Sequence, residues 1–186
     1  MTHKPDTLLT GKLTRVKLVA MDVDGTFTDG TIFHDSSGGV IKGFSSGDGM
    51  GIELLRRAGI KRGFITGRSD RPTEERARFL GMDFYIPAIG DKSVALREVA
   101  EQYSLTLEEC LFIGDDLNDL TALEAAGVAV VVANANPVMM EFADVVTTQK
   151  GGYGAVREVV DMVLAARGID PVELWLSEKD RPVGMQ

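Results

Sequence analysis

An α/β fold, with a parallel sheet flanked by helices, follows from three features of the 186-residue sequence. Short apolar runs alternate with segments of helical period, the pattern that βαβ units produce. Several of those runs end directly in turn-rich or acidic stretches, as buried strands do. The length also suits one domain, since domains commonly span ~100–200 residues.

The elements can be placed in order along the chain. Residues 1–14 are polar and read as a frayed end. The apolar run 16–21 reads as the first buried strand. Segments 31–33 and 40–44 are rich in β-formers and flank Asp35-Ser36-Ser37-Gly38-Gly39, which predicts a β-hairpin where a first helix would normally follow. An isolated hairpin is marginal without a cover, so it is either a surface decoration or an arm packed on another subunit. Runs 60–65, 84–86, 110–113, 128–132 and 145–147 supply further strands. Leu96, Val99, Ala100 and Tyr103 repeat at i, i+3, i+4 and i+7, and Val156, Val159, Val160, Val163 and Leu164 form a second helical stripe. Thr106-Leu107-Glu108-Glu109 has capping-box form and predicts a short helical turn. Residues 169–186 carry two prolines and the cluster Glu178-Lys179-Asp180-Arg181. They read as a tail pinned by Trp175, leaving 1–168 as the single domain.

Composition narrows the function. Twenty basic against 28 acidic residues give a net charge of −8, which argues against a nucleic-acid partner bound by phosphate neutralisation. The single Cys110 precludes an intramolecular disulfide and fits a reducing compartment. His3, His34 and Cys110 are too few for a structural zinc site. No apolar run approaches the ~20 residues of a membrane span, and residues 1–17 lack a signal-peptide core. The expectation is a soluble, cytoplasmic protein with no membrane partner.

In an open parallel sheet, ligands bind beyond the carboxyl ends of the strands. Four motifs fall there. Asp22-Val23-Asp24-Gly25-Thr26 follows the first strand; its two carboxylates can face one crevice, and Gly25 permits a sharp turn. Read alone, it could be an ordinary Asp/Gly turn. Thr66-Gly67-Arg68 follows another strand and offers a hydroxyl and amides for an anion, or a helix N-cap at Thr66 or Ser69. Asp91-Lys92 opens a helix; Asp91 could be only a helix-terminal charge, whereas Lys92 could turn toward carboxylates and a phosphate. Gly114-Asp115-Asp116-Leu117-Asn118-Asp119 places three carboxylates at a strand end, costly unless a cation or water satisfies them. Oxygen ligands without nearby Cys or His point to Mg²⁺.

Taken in this order, the four motifs resemble the haloacid dehalogenase superfamily of aspartate-nucleophile phosphatases, whose fold is a Rossmann-like parallel sheet. The resemblance implies Asp22 as nucleophile and Asp24 as general acid, then base. It implies Mg²⁺ held by Asp22, the Asp24 carbonyl and Asp115, with Asp116 and Asp119 further out. Thr66, Gly67 and Lys92 would hold the phosphoryl group. Thr66 follows Gly25 by 41 positions, much of them hairpin, and only 25 residues separate Thr66 from Lys92. Neither gap accommodates a cap domain, so a neighbouring subunit would cover the site.

Residues 22–30, Asp48-Gly49-Met50-Gly51, Ile65-Thr66-Gly67-Arg68-Ser69, residues 114–120 and Gly154-Ala155-Val156-Arg157-Glu158 resemble the 3-deoxy-D-manno-octulosonate 8-phosphate (KDO 8-phosphate) phosphatases, capless homotetramers. That resemblance implies a sugar-acid phosphate substrate and a tetramer built through the 31–44 hairpin. It also exposes departures. Gly47 and Tyr153 stand where such proteins usually carry arginines, and Ile86-Pro87-Ala88-Ile89-Gly90 replaces a Tyr-Gln-Gly segment. Two alternative substrates follow, a nine-carbon 2-keto sugar-acid phosphate and the substrate of a phosphatase domain in CMP-sugar synthesis. The non-enzyme alternatives are a receiver-like phosphoryl switch and a catalytically silent binding protein.

Overall fold

The computed structural model describes residues 7–177. In chain order the elements are α1 (Thr7–Arg15), β1 (Leu18–Met21), β2 (Phe33–His34), β3 (Val40–Ile41), α2 (Ser46–Arg57), β4 (Lys61–Ile65), α3 (Arg71–Phe79), β5 (Phe84–Ile86), α4 (Lys92–Gln102), β6 (Cys110–Gly114), α5 (Leu120–Ala125), β7 (Val128–Val131), β8 (Val145–Val146), α6 (Ala155–Ala166) and α7 (Pro171–Ser177). Six strands pair in parallel in the order β5-β4-β1-β6-β7-β8, while β2 and β3 make a separate antiparallel pair. Every residue of β1, β6 and β7 is buried, because helices cover both faces of the sheet.

Strand order reverses beside β1, where chain continuation leaves toward β4 on one side and β6 on the other. A crevice opens there at the carboxyl ends. The register pairs Met21 with Phe64 and with Ile113, so the residues after β1, β4 and β6 emerge at one level. The stripe of α6 is buried and packs on α2. Gly51 permits their approach, since a Cβ there would lie 3.3 Å from the Arg157 Cα.

The predicted main-sheet strands are all present: 84–86 keeps its bounds, 110–113 gains Gly114, and the others lose one or two residues. The hairpin is also present, but its ladder is only Phe33 opposite Ile41 and His34 opposite Val40. It precedes the first crossover helix rather than replacing it: α2 follows, its helical pattern blurred by Gly47, Gly49 and Gly51. Between β4 and β5 the only element is α3, so no cap interrupts residues 7–177. Thr106 and Glu109 form the expected reciprocal cap.

Three expectations change. The polar start is helical over Thr7–Arg15, with Leu13 buried and Thr14 Oγ1 donating to Ala166 O at 3.2 Å. Nine residues are marginal as an isolated helix, so docking rather than local sequence supports this one. Helix α3 begins at Arg71, not at Thr66 or Ser69; Pro72 is tolerated only in a first turn, and Asp70 caps it by accepting from Thr73 N at 2.9 Å. The tail contains α7, pinned by Trp175 beneath the Arg57 guanidinium at 4.0 Å. The cluster at 178–181 lies outside the described residues. Among the described residues, no helix is long and apolar enough to cross a membrane.

Candidate active site

The loop after β1 carries Asp22 into the crevice, its backbone fixed by Asp22 N donating to Ile113 O at 2.9 Å. Lys92, the first residue of α4, reaches the same point from beyond β5. Its ammonium donates to Asp22 Oδ1 and Asp119 Oδ1, each at 2.5 Å. Both Lys92 and Asp119 are wholly buried. Burial pulls the ammonium pKa down, but the two carboxylates outweigh it and leave it above the ordinary lysine value.

Asp115 leaves β6 beside Gly25. A Cβ at Gly25, where φ is +104°, would collide with the Asp115 carboxylate, so this approach requires glycine. Thr26 Oγ1 donates to Asp115 Oδ1 at 2.9 Å. One carboxylate oxygen from each of Asp22, Asp115 and Asp119 lies within 4.8 Å of the other two. Desolvation, helped by Asp119, pushes Asp22 up to about 6. Desolvation, then Asp22 and Asp119, pushes Asp115 up to about 7. Lys92 does not neutralise this much negative charge alone.

The other predicted residues separate by role. Asp119 is fully used as a bracket: Lys92 fills Oδ1, while Oδ2 accepts from Asp115 N at 2.8 Å and Asp116 N at 3.2 Å. Asp116 is exposed and caps the turn Leu117–Asp119, accepting from Leu117 N at 2.8 Å. Thr66 is buried, and its Oγ1 accepts from Arg68 N at 3.3 Å. Gly67 lies near the Asn118 amide, at 3.9 Å from a Cβ built on it. Asp91 only caps α4 and accepts from Thr121 Oγ1 at 2.9 Å. Gly47 lies in the first turn of α2, on a cavity of about 660 Å³ that Arg76 also lines. Tyr153 is exposed, its hydroxyl 3.3 Å from Asp29 Oδ2.

Sequence reading missed the partners of Asp24. Lys42, just past β3, places its ammonium 2.6 Å from Asp24 Oδ1 and 2.9 Å from Oδ2. Asp48, part of a family-like segment but without a role read from sequence, lies buried at the start of α2 and accepts from Gly154 N and Arg157 N at the start of α6. Neither has a local signal, because each partner lies far away in sequence.

A family model for haloacid dehalogenase-like hydrolases matches residues 86–159. The KDO 8-phosphate phosphatase KdsC of Escherichia coli K12 is 36% identical over 157 residues, 84% of each chain. The Yersinia pestis KdsC is 39% identical over 152 residues, covering 82% of this chain and 81% of its own. The Moraxella catarrhalis KDO 8-phosphate phosphatase, solved with magnesium, phosphate and KDO, superposes with a TM-score of 0.87 at 36% identity. That match covers 94% of this chain and 98% of the other. With the Asp22–Thr26 loop, the buried lysine and the acidic strand end assembled in one crevice, this chain belongs to the 3-deoxy-D-manno-octulosonate 8-phosphate phosphatase family of haloacid dehalogenase-like hydrolases.

Proposed function

We propose that this chain is a Mg²⁺-dependent phosphomonoesterase that hydrolyses KDO 8-phosphate to KDO and phosphate through an aspartyl-phosphate on Asp22. The observation carrying this reading is the buried cluster of Asp22, Lys92, Asp115 and Asp119 at the strand-order reversal. The donor set suits a hard cation: Asp22 and Asp115 offer carboxylate oxygens and Asp24 its backbone carbonyl. The raised pKa values of Asp22 and Asp115 mark the charge that a cation would neutralise. Bound there, Mg²⁺ supplies charge stabilisation and alignment for the phosphoryl oxygens.

The chain's own residues account for the remaining steps. The Asp22 carboxylate attacks phosphorus as the ester P–O bond breaks, and Asp24 gives its proton to the leaving oxygen. Asp24 then takes a proton from the water that attacks phosphorus. The Asp22 O–P bond breaks and inorganic phosphate leaves. The Thr66 hydroxyl, the Gly67 amide and the Lys92 ammonium hold the phosphoryl oxygens, and Lys92 offsets charge as it develops. Asp119 keeps Lys92 and the Asp115 backbone in place; Asp116 acts through the turn it caps and through Asn136, whose Nδ2 donates to its Oδ1 at 3.2 Å.

The exposed Phe33 and Ile41 on a two-stranded ladder support a homotetramer in which the hairpin arm covers a neighbour's open site. The free, buried Cys110 supports action in the cytoplasm.

Phosphate release with Mg²⁺ tests the reading directly. Asp22→Asn is expected to abolish it, and equal rates for variant and parent would remove the nucleophile. A panel of eight- and nine-carbon 2-keto sugar-acid phosphates, hexose phosphates and nucleotides tests the substrate. Preference for a nine-carbon ester would move the assignment, and equal turnover of hexose phosphates would remove the sugar-acid reading.

A further inference from the structure

We propose that Lys42 is a positioning residue for Asp24, and that through it the hairpin fixes the orientation of the acid/base carboxyl. The inference rests on the phosphomonoesterase reading, in which Asp24 exchanges protons with the leaving group and with water.

The Lys42 side chain is 1% exposed, and an ammonium removed from water needs all its hydrogens bonded. Three side chains provide the acceptors, one from the loop after β1 and two from the start of α3. Asp24 takes one side; Asp70 Oδ2 accepts at 2.6 Å and Thr73 Oγ1 at 3.2 Å. Asp70 is itself immobilised as the N-cap of α3, so the far end of the bridge is anchored to a helix on the main sheet. The near end belongs to the hairpin, because Lys42 directly follows β3. The Asp24 carboxylate is thus held by a side chain that touches neither the Asp22–Lys92 pair nor the Asp115 carboxylate.

Asp24 needs such support. It precedes Gly25, whose φ of +104° turns the chain away, and its side chain remains 17% exposed. Arg68 Nε, 3.7 Å from Asp24 Oδ2, is on a side chain 62% exposed and cannot fix it comparably. Proton transfer in the transition state demands placement of donor and acceptor within a fraction of an ångström, and a 1 Å error costs roughly 10²-fold. The Lys42 ammonium is engaged by Asp24, Asp70 and Thr73 rather than by Asp22 or Asp115, so its effect passes through Asp24.

The test uses full-length Lys42→Met and Lys42→Arg with Mg²⁺ and two substrates. KDO 8-phosphate has an alkoxide leaving group that needs a proton; p-nitrophenyl phosphate has one that does not. For Lys42→Met, kcat on KDO 8-phosphate is expected to fall about 10²-fold with KM changed by less than about 3-fold. With p-nitrophenyl phosphate, the first phosphoryl transfer should survive as a burst of about one nitrophenolate per site, followed by slow turnover, because Asp24 is still needed for the water step. Lys42→Arg should recover part of the rate. Unchanged kinetics in Lys42→Met, or equal loss on both substrates without a burst in a cooperatively folded variant, would overturn the proposal. Should Lys42→Met fail to fold, Asp70→Ser retains a capping oxygen while releasing Lys42. It must reproduce the nitrophenolate burst and the slow turnover that follows, and an equal change on both substrates without a burst overturns the assignment. Absence of turnover in the parent protein would instead remove the phosphomonoesterase reading itself.

Discussion

The Lys92 ammonium stands 2.5 Å from Asp22 Oδ1, and solvent reaches neither group appreciably. This contact places the only wholly buried lysine among the described residues against the residue that begins the acidic loop. A buried cation of this kind does two things at once. It makes the cluster of carboxylates tolerable during folding, and it leaves a positive charge where a phosphoryl group would sit.

Lys92→Met should therefore affect stability and chemistry together. Removing one partner from a buried pair typically costs about 3–5 kcal/mol, because the carboxylates of Asp22 and Asp119 remain. Urea unfolding of the cation-free protein should report that loss. Mg²⁺ should restore part of the stability, while phosphate release stays at least about 10²-fold below the parent.

The same carboxylates set a pH dependence. Asp22 and Asp115 are raised to about 6 and about 7, so the cation-free folded protein retains protons that the unfolded chain releases. Their contribution to stability is full below the ordinary carboxylate pKa and is lost as pH rises through those raised values. Cation-free protein is expected to lose stability from this pair as pH rises from about 4 to about 7. Added MgCl₂ should raise the melting temperature strongly at the upper pH and little at the lower, because ligand protonation opposes metal binding. An equal shift at both would remove the assigned pair from the cation site.

Asp48 joins the first turns of α2 and α6. It is fully buried, accepting from Arg157 N at 2.8 Å and Gly154 N at 3.2 Å. Burial raises its pKa, while the amides of the α6 terminus pull the other way. Asp48→Ala strands both amides and should cost about 2–4 kcal/mol by denaturant unfolding.

The hairpin makes a prediction about assembly. Phe33 and Ile41 are cross-strand partners, each 59% exposed. Replacing both with Asp should leave the α/β core folded, since neither belongs to it. With the proposed tetramer built through this hairpin, it should reduce the mass in solution to smaller species, as sedimentation can measure. Unchanged mass would leave the hairpin as surface decoration.

Ala88 offers a stability test near the site. Its φ of +55° puts a non-glycine residue in the left-handed region, which costs ~1–2 kcal/mol for an L side chain. Glycine relieves that strain but adds unfolded-state entropy, so Ala88→Gly should stabilise by about 0.5 kcal/mol, read from the denaturation midpoint.

Local patterns in the chain carried most of the framework. The run 16–21 and the strands at 84–86 and 110–113 are legible because continuous apolar stretches bounded by turns have few other solutions in a domain of this size. The stripe from Val156 to Leu164 is legible because its spacing matches one helix face. Helix α2 is harder to see through three glycines, and α1 depends on its contact with the end of α6, so weak local preference concealed both. The start of α3 is hard to read because Thr66 and Ser69 are as suitable for caps as Asp70, and Pro72 alone discriminates.

For the site, residue type and order pointed to Asp22, Asp24, Thr66, Lys92, Asp115 and Asp119, since carboxylates at strand ends are costly without a purpose and their order follows strand order. Motif spacing likewise left no room for a cap, and only α3 stands between β4 and β5. Which carboxylate does what depended on distances that no local pattern encodes. Tertiary structure turned Asp116 into a cap, made Asp119 the bracket for Lys92, and brought Lys42 from the hairpin onto Asp24 across 18 positions. Apolar periodicity is a short-range property and survives in the sequence; the pairing of buried charges is a long-range one, fixed only when the sheet closes and water leaves.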